Sequence, residues 1–196
     1  VRRARAVHTS TWPLSREPAR TAASRALHLA HEQGRLTSLD PNYSPRIWPD
    51  RGEALVVLER LLPDVDIVKP SEDDAARLFD EPLTAEHTIA RFHDMGPRIV
   101  LYTMGAEGMV LSVAGEQTFI PAREVEVVDA TGAGDAFWAG FLTATLDELT
   151  PVHAAYVARE LVARKLRIVG PLPGTIDRRA LYREAQAAMD AREAMH

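Results

Sequence analysis

Two aspartates flank a glycine-containing turn between Val127 and Phe137, in the run Val-Val-Asp-Ala-Thr-Gly-Ala-Gly-Asp-Ala-Phe. The apolar residues before Asp129 end like a strand, and the residues after Asp135 begin like a helix. Such a turn leaves backbone N–H groups without partners at a helix N-terminus, where an anion is best held. A carboxylate beside that anion can take the proton of an attacking hydroxyl group. The residue types therefore predict phosphoryl transfer to an alcohol.

The same run also has a purely structural explanation. Glycines are common before helices because turns need a permissive backbone, and an aspartate in a first helical turn stabilises the helix dipole. A dinucleotide-binding Gly-x-Gly-x-x-Gly turn of an oxidoreductase is a further alternative, but Phe137 stands where the third glycine should allow close helix packing. Two acids, a threonine and Gly-Ala-Gly in one unbroken run favour phosphoryl transfer over both.

Residues 129–137, Asp-Ala-Thr-Gly-Ala-Gly-Asp-Ala-Phe, resemble the C-terminal signature of the ribokinase-like (PfkB) carbohydrate kinases, usually Asp-Thr-x-Gly-Ala-Gly-Asp-x-Phe. Only Ala130 departs, since Thr is usual there. The resemblance implies that three backbone amides form an anion hole for the transferred phosphoryl group. These amides belong to Gly132, Ala133 and Gly134.

The resemblance also assigns roles to the residues on either side of the anion hole. It makes Asp135 the catalytic base, and it places Asp129 and Thr131 near a monovalent-cation site and the bound nucleotide. ATP and Mg²⁺ are the cofactors that it implies, together with that monovalent cation.

A second segment, Tyr102-Thr-Met-Gly-Ala-Glu-Gly108, resembles the family's strand-end turn near the nucleotide phosphates and ribose. The resemblance implies nucleotide contacts from Thr103, Gly105 and Gly108. A strand–turn–strand with two glycines is by itself ordinary structure, so the distance of this segment before the signature carries the interpretation.

The segment Lys69-Pro-Ser-Glu-Asp-Asp74 occupies the place of the family's Asn-x-x-Glu motif, whose acid helps to organise magnesium and phosphate. Ser71 replaces the Asn and Asp74 replaces the Glu. By resemblance, Asp74 is a magnesium-organising residue. The alternative is that Ser-x-x-Asp simply begins a helix, because a serine caps backbone N–H groups and acids favour the first turn.

Two further segments bear on the subgroup and on the nucleotide. The stretch 39–48, Leu-Asp-Pro-Asn-Tyr-Ser-Pro-Arg-Ile-Trp, resembles fructokinase-like and 2-keto-3-deoxygluconate kinase-like members, although Asp-Pro-Asn is also a good turn after any strand. This resemblance implies that the substrate is a sugar or a sugar acid.

Arg159 stands where the family often has an Asn that lines the adenine pocket.

Composition excludes several classes of function. The 196 residues carry a formal net charge of −5, which gives no basic field for nucleic acid or an anionic membrane. There is no cysteine, as expected for a cytoplasmic protein. No apolar run is long enough to span a bilayer. The two lysines, Lys69 and Lys165, do not follow a glycine-rich turn, so a Walker-type P-loop is absent.

β-rich apolar segments alternate with helical patterns along the chain, which predicts an α/β fold with a mainly parallel sheet and helices on both faces. We expect strands at residues 6–9, 36–40, 65–68, 98–103 and 124–128, a hairpin over 108–121, and helices over 133–146, 151–167 and 177–194. The resemblance implies a ribokinase-like, Rossmann-type three-layer arrangement. Residues 1–196 are expected to form one nucleotide-binding and catalytic portion, without the family's N-terminal portion and lid.

Two functions stay open at this stage. The first is an ATP-dependent sugar kinase, a homodimer in the complete protein if its lid forms the usual dimer contacts. The second is a catalytically inactive nucleotide-binding remnant or fragment that lacks the sugar-binding part. Turnover of a sugar distinguishes them, because a remnant binds ATP without transferring its phosphoryl group.

Overall fold

All strands of the sheet precede residue 122, and the first four are separated by helices. The computed structural model describes residues 1, 3–79, 81 and 83–194. Their six strands form one sheet in sequential order; the first four are parallel, and β5 runs antiparallel to β4. This confirms the predicted α/β fold with a mainly parallel sheet. The strands are β1 (Ala6–Ser10), β2 (Leu36–Asp40), β3 (Ile67–Val68), β4 (Ile99–Thr103), β5 (Gly108–Val113) and β6 (Glu116–Pro121).

The chain divides into two compact units: Val1–Gly105 with Met109–Phe119, and Ala106–Gly108 with Ile120–His196. The helices of the first unit are α1 (Thr11–Leu14), α2 (Ala19–Glu32), α3 (Arg51–Leu61), α4 (Glu72–Phe79) and α5 (Ala85–Asp94). The second unit contains α6 (Ala133–Leu146), α7 (Pro151–Leu166) and α8 (Arg178–Glu193). In the part of the chain that is described, no helix has both the length and the apolar composition to cross a membrane.

The core of the first unit lies on the central strands. Leu39 of β2 pairs with Val68 of β3, which pairs with Val100 of β4, and all three side chains are fully buried. Strands that are covered on both faces tend to be apolar along their length, which explains why β3 and β4 lack polar alternation; β2 instead contains Thr37 and Ser38, both fully buried. Their parallel direction brings the carboxyl ends of β2, β3 and β4 to the same edge of the sheet.

The strand predicted over residues 124–128 is wrong. The alternation Glu-Val-Glu-Val-Val favours a strand, but this segment has no strand conformation, and Val127 and Val128 are more than half exposed. The Val128 N–H instead donates to the carbonyl of Leu166 at the end of α7 (N···O 2.7 Å). Tertiary contacts therefore override β-propensity here, as they commonly do.

Helices α6 and α7 pack closely in the second unit because Gly140 has no side chain. A Cβ at Gly140 would lie 2.9 Å from Cα and 3.2 Å from N of Ala158 on α7. On the same helix, the rings of Phe137 and Phe141 stack with centroids 6.1 Å apart. Both rings are buried, so the helix that begins at the glycine turn is fixed by its apolar side.

Replacing Gly140 by Ala should destabilise the chain by about 1–3 kcal/mol, because the added methyl group meets backbone that cannot move aside. Denaturant unfolding measures the loss. The matched control is Gly52→Ala in α3, where the nearest atom to the new Cβ is a side-chain oxygen at 3.4 Å. That variant should keep or slightly raise the free energy of unfolding; equal losses in both variants would contradict the packing argument.

Candidate active site

The turn before α6 is shaped by the side chain of Asp129 and by the backbone of Gly132. Asp129 Oδ1 accepts a hydrogen bond from the N–H of Thr131 (2.9 Å), and the N–H of Ala133 donates to Ala130 O (3.1 Å). Gly132 is the N-cap and has φ +79°, a left-handed conformation that favours glycine. The chain thus reverses sharply and enters the helix without a capping side chain.

The first amides of α6 are open to an incoming anion. The N–H groups of Gly134 and Asp135 have no hydrogen-bond acceptor among the described residues, as is usual for a first helical turn. Gly134 is exposed, and a Cβ built on it would meet no atom within 4 Å. These amides lie at the positive end of a 14-residue helix, where a phosphate group is stabilised.

Asp135 lies beside these amides. It is the third residue of α6 and is exposed, and its Oδ2 lies 3.8 Å from the position of a Cβ built on Gly132. The carboxylate therefore reaches back towards the turn. No ion pair holds it within residues 1, 3–79, 81 and 83–194, so a proton acceptor is available next to the anion-binding amides.

The end of α7 holds the turn in place. The carbonyl of Leu166 accepts hydrogen bonds from the N–H groups of Val128 (2.7 Å) and Asp129 (3.2 Å). Lys165 Nζ lies 3.7 Å from Asp129 Oδ2 and donates to the carbonyl of Ile168 (3.3 Å). The Lys165 side chain is 7% exposed. A nearly buried ammonium group therefore lies beside Asp129, at the base of the turn before α6.

The same contacts lower the pKa of Asp129 below its ordinary value. Hydrogen bonds from the backbone and then the side chain of Thr131 are the main causes, and the positive charge of Lys165 and the backbone of Gly170 add to them. Asp129 is therefore an anion at neutral pH, and its carboxylate stabilises the turn by accepting these hydrogen bonds.

Asp74, the predicted magnesium-organising residue, is engaged on both carboxylate oxygens and is only 4% exposed. Its Oδ2 accepts from the N–H (3.0 Å) and hydroxyl (2.6 Å) of Ser71, while Ser71 Oγ accepts from the Asp74 N–H (3.1 Å). Its Oδ1 accepts from the N–H of Tyr43 (2.7 Å). These contacts form a reciprocal helix cap that also fixes the loop after β2. A role with magnesium stays a prediction.

The predicted nucleotide residues lie near the end of β4. The N–H of Thr103 donates to Pro70 O (3.0 Å). Gly105 has φ +54° in a short 3₁₀ turn, and a Cβ there would meet open space. A Cβ at Gly108 would instead lie 2.2 Å from Ile120 O, so this glycine is required by the close approach of β6. Of the three, Gly105 has the most room for a ligand.

Arg159, at the place of the adenine-pocket Asn, belongs to a charged cluster. Its Nη2 lies 2.7 Å from Glu160 Oε1, and its guanidinium lies 4.6 Å from the ring centre of Tyr156. Arg123 also pairs with Glu160, whose side chain is 2% exposed. A buried carboxylate needs partners of opposite charge. Arg123 and Arg159 therefore neutralise the buried Glu160 of α7.

The described residues contain no group of three His, Asp or Glu side chains that could hold a metal ion. Mg²⁺ in phosphoryl-transfer enzymes is usually bound through substrate phosphates with one or two carboxylates. The exposed Asp135 carboxylate and the open amides of α6 fit a Mg²⁺-bound phosphate; a metal site made of protein ligands alone does not fit.

The second unit brings together the predicted residues Asp129, Thr131 and 132–135. The first unit holds Asp74, Thr103 and Gly105. Sequence reasoning missed the role of Lys165. The only signal in the sequence was the scarcity of lysine, since the chain has just two; the structure shows that each is buried beside an aspartate, with Lys69 Nζ 3.4 Å from Asp40 Oδ1.

The sequence and the fold match a known kinase family. The pattern of the pfkB family carbohydrate kinases matches residues 1–163, so the chain belongs to that family. Over 166 residues it is 37% identical to an ATP-dependent 6-phosphofructokinase from Thermoanaerobacterium thermosaccharolyticum, covering 85% of this chain and 51% of that protein. The chain thus spans about half the length of this relative.

Two solved structures are similar in fold. Aminoimidazole riboside kinase from Salmonella enterica, complexed with aminoimidazole riboside and an ATP analogue, has a TM-score of 0.81 at 25% identity, covering 92% of this chain and 62% of that chain. A double mutant of fructokinase from Vibrio cholerae O395, in its fructose-, ADP- and potassium-bound form, has a TM-score of 0.80 at 25% identity, covering 91% and 59%.

Replacing Asp74 by Ala should lower the free energy of unfolding by about 2–4 kcal/mol, because the buried N–H of Tyr43 and the half-buried N–H and hydroxyl of Ser71 lose their acceptor. Chemical denaturation of Asp74→Ala and of Asp73→Ala gives the comparison. Asp73 is the matched control, since its side chain is 79% exposed and pairs with the exposed side chain of Arg77; little change is expected there. An Asp74→Ala variant of unchanged stability that loses Mg²⁺-dependent ATP binding would instead support the magnesium role.

The lowered pKa of Asp129 predicts how the turn responds to acid. A carboxyl group whose folded pKa is depressed stabilises the fold fully above the ordinary value of 3.8, and the contribution is lost as the pH falls through the folded pKa. The stability difference between the wild-type chain and Asp129→Asn should therefore stay constant down to pH 3.8 and shrink below it. Thermal unfolding across pH measures this; a difference that shrinks well above that value would contradict it.

Proposed function

We propose that this protein is a carbohydrate kinase that transfers the γ-phosphoryl group of ATP to a hydroxyl group of a sugar or sugar acid. The observation that carries the proposal is the juxtaposition at the start of α6: open backbone amides at Gly134 and Asp135, with the Asp135 carboxylate beside them. Membership of a carbohydrate kinase family supports this chemistry.

The amides of Gly132, Gly134 and Asp135 are proposed to bind the transferred phosphoryl group, whereas the N–H of Ala133, the other amide predicted for the anion hole, already donates to Ala130 O. Negative charge develops on its oxygens during transfer, and donors that are already fixed in place stabilise that charge without rearranging. The left-handed Gly132 and the fastening of the turn to Leu166 support such preorganisation. Mg²⁺ bound to the phosphates would neutralise further charge. Thr131, Thr103, Gly105 and Gly108 are the proposed nucleotide contacts.

Asp135 is proposed as the general base. As the acceptor hydroxyl oxygen bonds to the γ-phosphorus, the bond from phosphorus to the β–γ bridging oxygen breaks and ADP leaves with that electron pair. The hydroxyl proton passes to the Asp135 carboxylate. Because this carboxylate is exposed while the chain's buried acids are held by partners, it is the acid next to the amides that is free to accept a proton.

The acceptor is proposed to be a hexose-type sugar or a sugar acid. The similar proteins include a 6-phosphofructokinase and a fructokinase with bound fructose, which supports a ketose. Phosphorylation of a panel of ketoses, aldoses and sugar acids, measured by coupled ADP release from the 196-residue chain, identifies the class. ATP binding without turnover of any acceptor would favour the inactive remnant.

Replacing Asp135 by Asn should lower turnover about 10²- to 10⁴-fold while leaving ATP affinity nearly unchanged, because only the proton acceptor is removed. Steady-state kinetics and direct ATP titration separate the two effects. The matched control is Asp177→Asn, since Asp177 caps α8 and Asn caps equally well. A fully active Asp135→Asn variant would remove the general-base assignment.

A further inference from the structure

The Lys165 side chain lies beside the turn that precedes α6. The inference drawn from this position rests on the proposed binding of phosphate by that turn. Lys165 lies in the last turn of α7, and its side chain is 7% exposed. Its ammonium group lies 3.7 Å from Asp129 Oδ2 and donates to the carbonyl of Ile168 at 3.3 Å. Asp129 Oδ2 and the Ile168 carbonyl, from different segments of the chain, therefore both lie near the positive charge of Lys165.

The stem of the same side chain contacts the turn directly. A Cβ built on Gly132 would lie 3.4 Å from Cε of Lys165, so the methylene next to the ammonium group fills the space under the N-cap of α6. The left-handed backbone at Gly132 itself favours glycine. The Lys165 side chain thus lies close to Gly132 while it is only 7% exposed.

This arrangement does not fit a free monovalent cation at Asp129. The sequence implies such a cation near Asp129 and Thr131, and a similar fructokinase contains a potassium ion. In this chain, however, Asp129 Oδ1 accepts from Thr131, Oδ2 faces the ammonium group, and the Ile168 carbonyl also accepts from it. An ammonium group has the charge of a potassium ion and is similar in size, so these oxygens already have their cation.

We infer that Lys165 is a covalently attached cation that organises the anion-binding turn, so that this chain needs no potassium ion for the purpose. The lysine neutralises Asp129 and links the turn to the end of α7, where Leu166 binds the backbone of residues 128 and 129. Lys165 is therefore a positioning residue: it acts on the phosphate site through Asp129 and Gly132.

The test compares cations on the purified 196-residue chain by thermal unfolding and by ATP titration at about 0.1 M salt, where screening is equal for each monovalent chloride. The wild-type chain should show the same melting temperature and ATP affinity in potassium, sodium and tetramethylammonium chloride. Lys165→Met should melt roughly 3–8 °C lower in tetramethylammonium chloride. Potassium or ammonium chloride should restore most of that loss and of any loss in ATP affinity.

The matched control is Lys69→Met, which removes the other buried lysine beside an aspartate, Asp40. Its melting temperature should not respond selectively to potassium. A wild-type chain that is selectively stabilised by potassium overturns the inference, and this result does not depend on any variant folding. Loss of stability in Lys165→Met without selective rescue, or equal rescue of Lys69→Met, also overturns it. Because melting needs no turnover, failure of the proposed kinase activity is a separate result.

Discussion

The carbonyl of Leu166 determines where the turn before α6 lies. By accepting hydrogen bonds from Val128 and Asp129, it joins the segment before α6 to the end of α7. Gly132 can then reverse the chain and begin α6 with its amides open, because the approach to the turn is already fixed. The close packing of Gly140 on Ala158 holds the two helices in the relation that this hydrogen bonding requires. Without these hydrogen bonds and this packing, the first amides of α6 would still be donors. Their direction would vary, however, and they would stabilise a transferred phosphoryl group poorly.

The buried charged groups differ in their surroundings from Asp135 at the start of α6. Asp74, Glu160 and Lys165 are each almost completely buried, and each is held by partners that join separate segments. Burial of a charge is tolerated only with such partners. Asp135 differs because it is exposed and lies beside amides that lack acceptors. Its surroundings therefore suit proton transfer, whereas those of the buried groups suit architecture.

Much of the fold follows from local signals in the sequence. The helix over Ala133–Leu146 agrees with its prediction at both ends, because the glycine turn before it and its apolar residues are local features. The prediction for residues 124–128 failed for the opposite reason: their β-branched alternation is local, but the N–H of Val128 donates to the carbonyl of Leu166, distant in the sequence. The same limit applied to the site. The turn and Asp135 are contiguous and were predicted, whereas the pairing of Lys165 with Asp129 spans 36 positions and has no sequence pattern of its own. Ser71 and Asp74 show a third case, in which one short motif allowed two roles and the buried contacts of the carboxylate favour the helix cap.

The central claim is that the backbone amides at the start of α6 bind the phosphate of a nucleotide. Amide ¹H–¹⁵N spectra of the 196-residue chain, titrated with Mg²⁺ and a non-hydrolysable ATP analogue, test it most directly. We expect the largest shifts to include the amides of Gly132, Gly134 and Asp135, and these shifts to saturate together with binding. An analogue that binds and shifts other residues while leaving these three amides unchanged would contradict it.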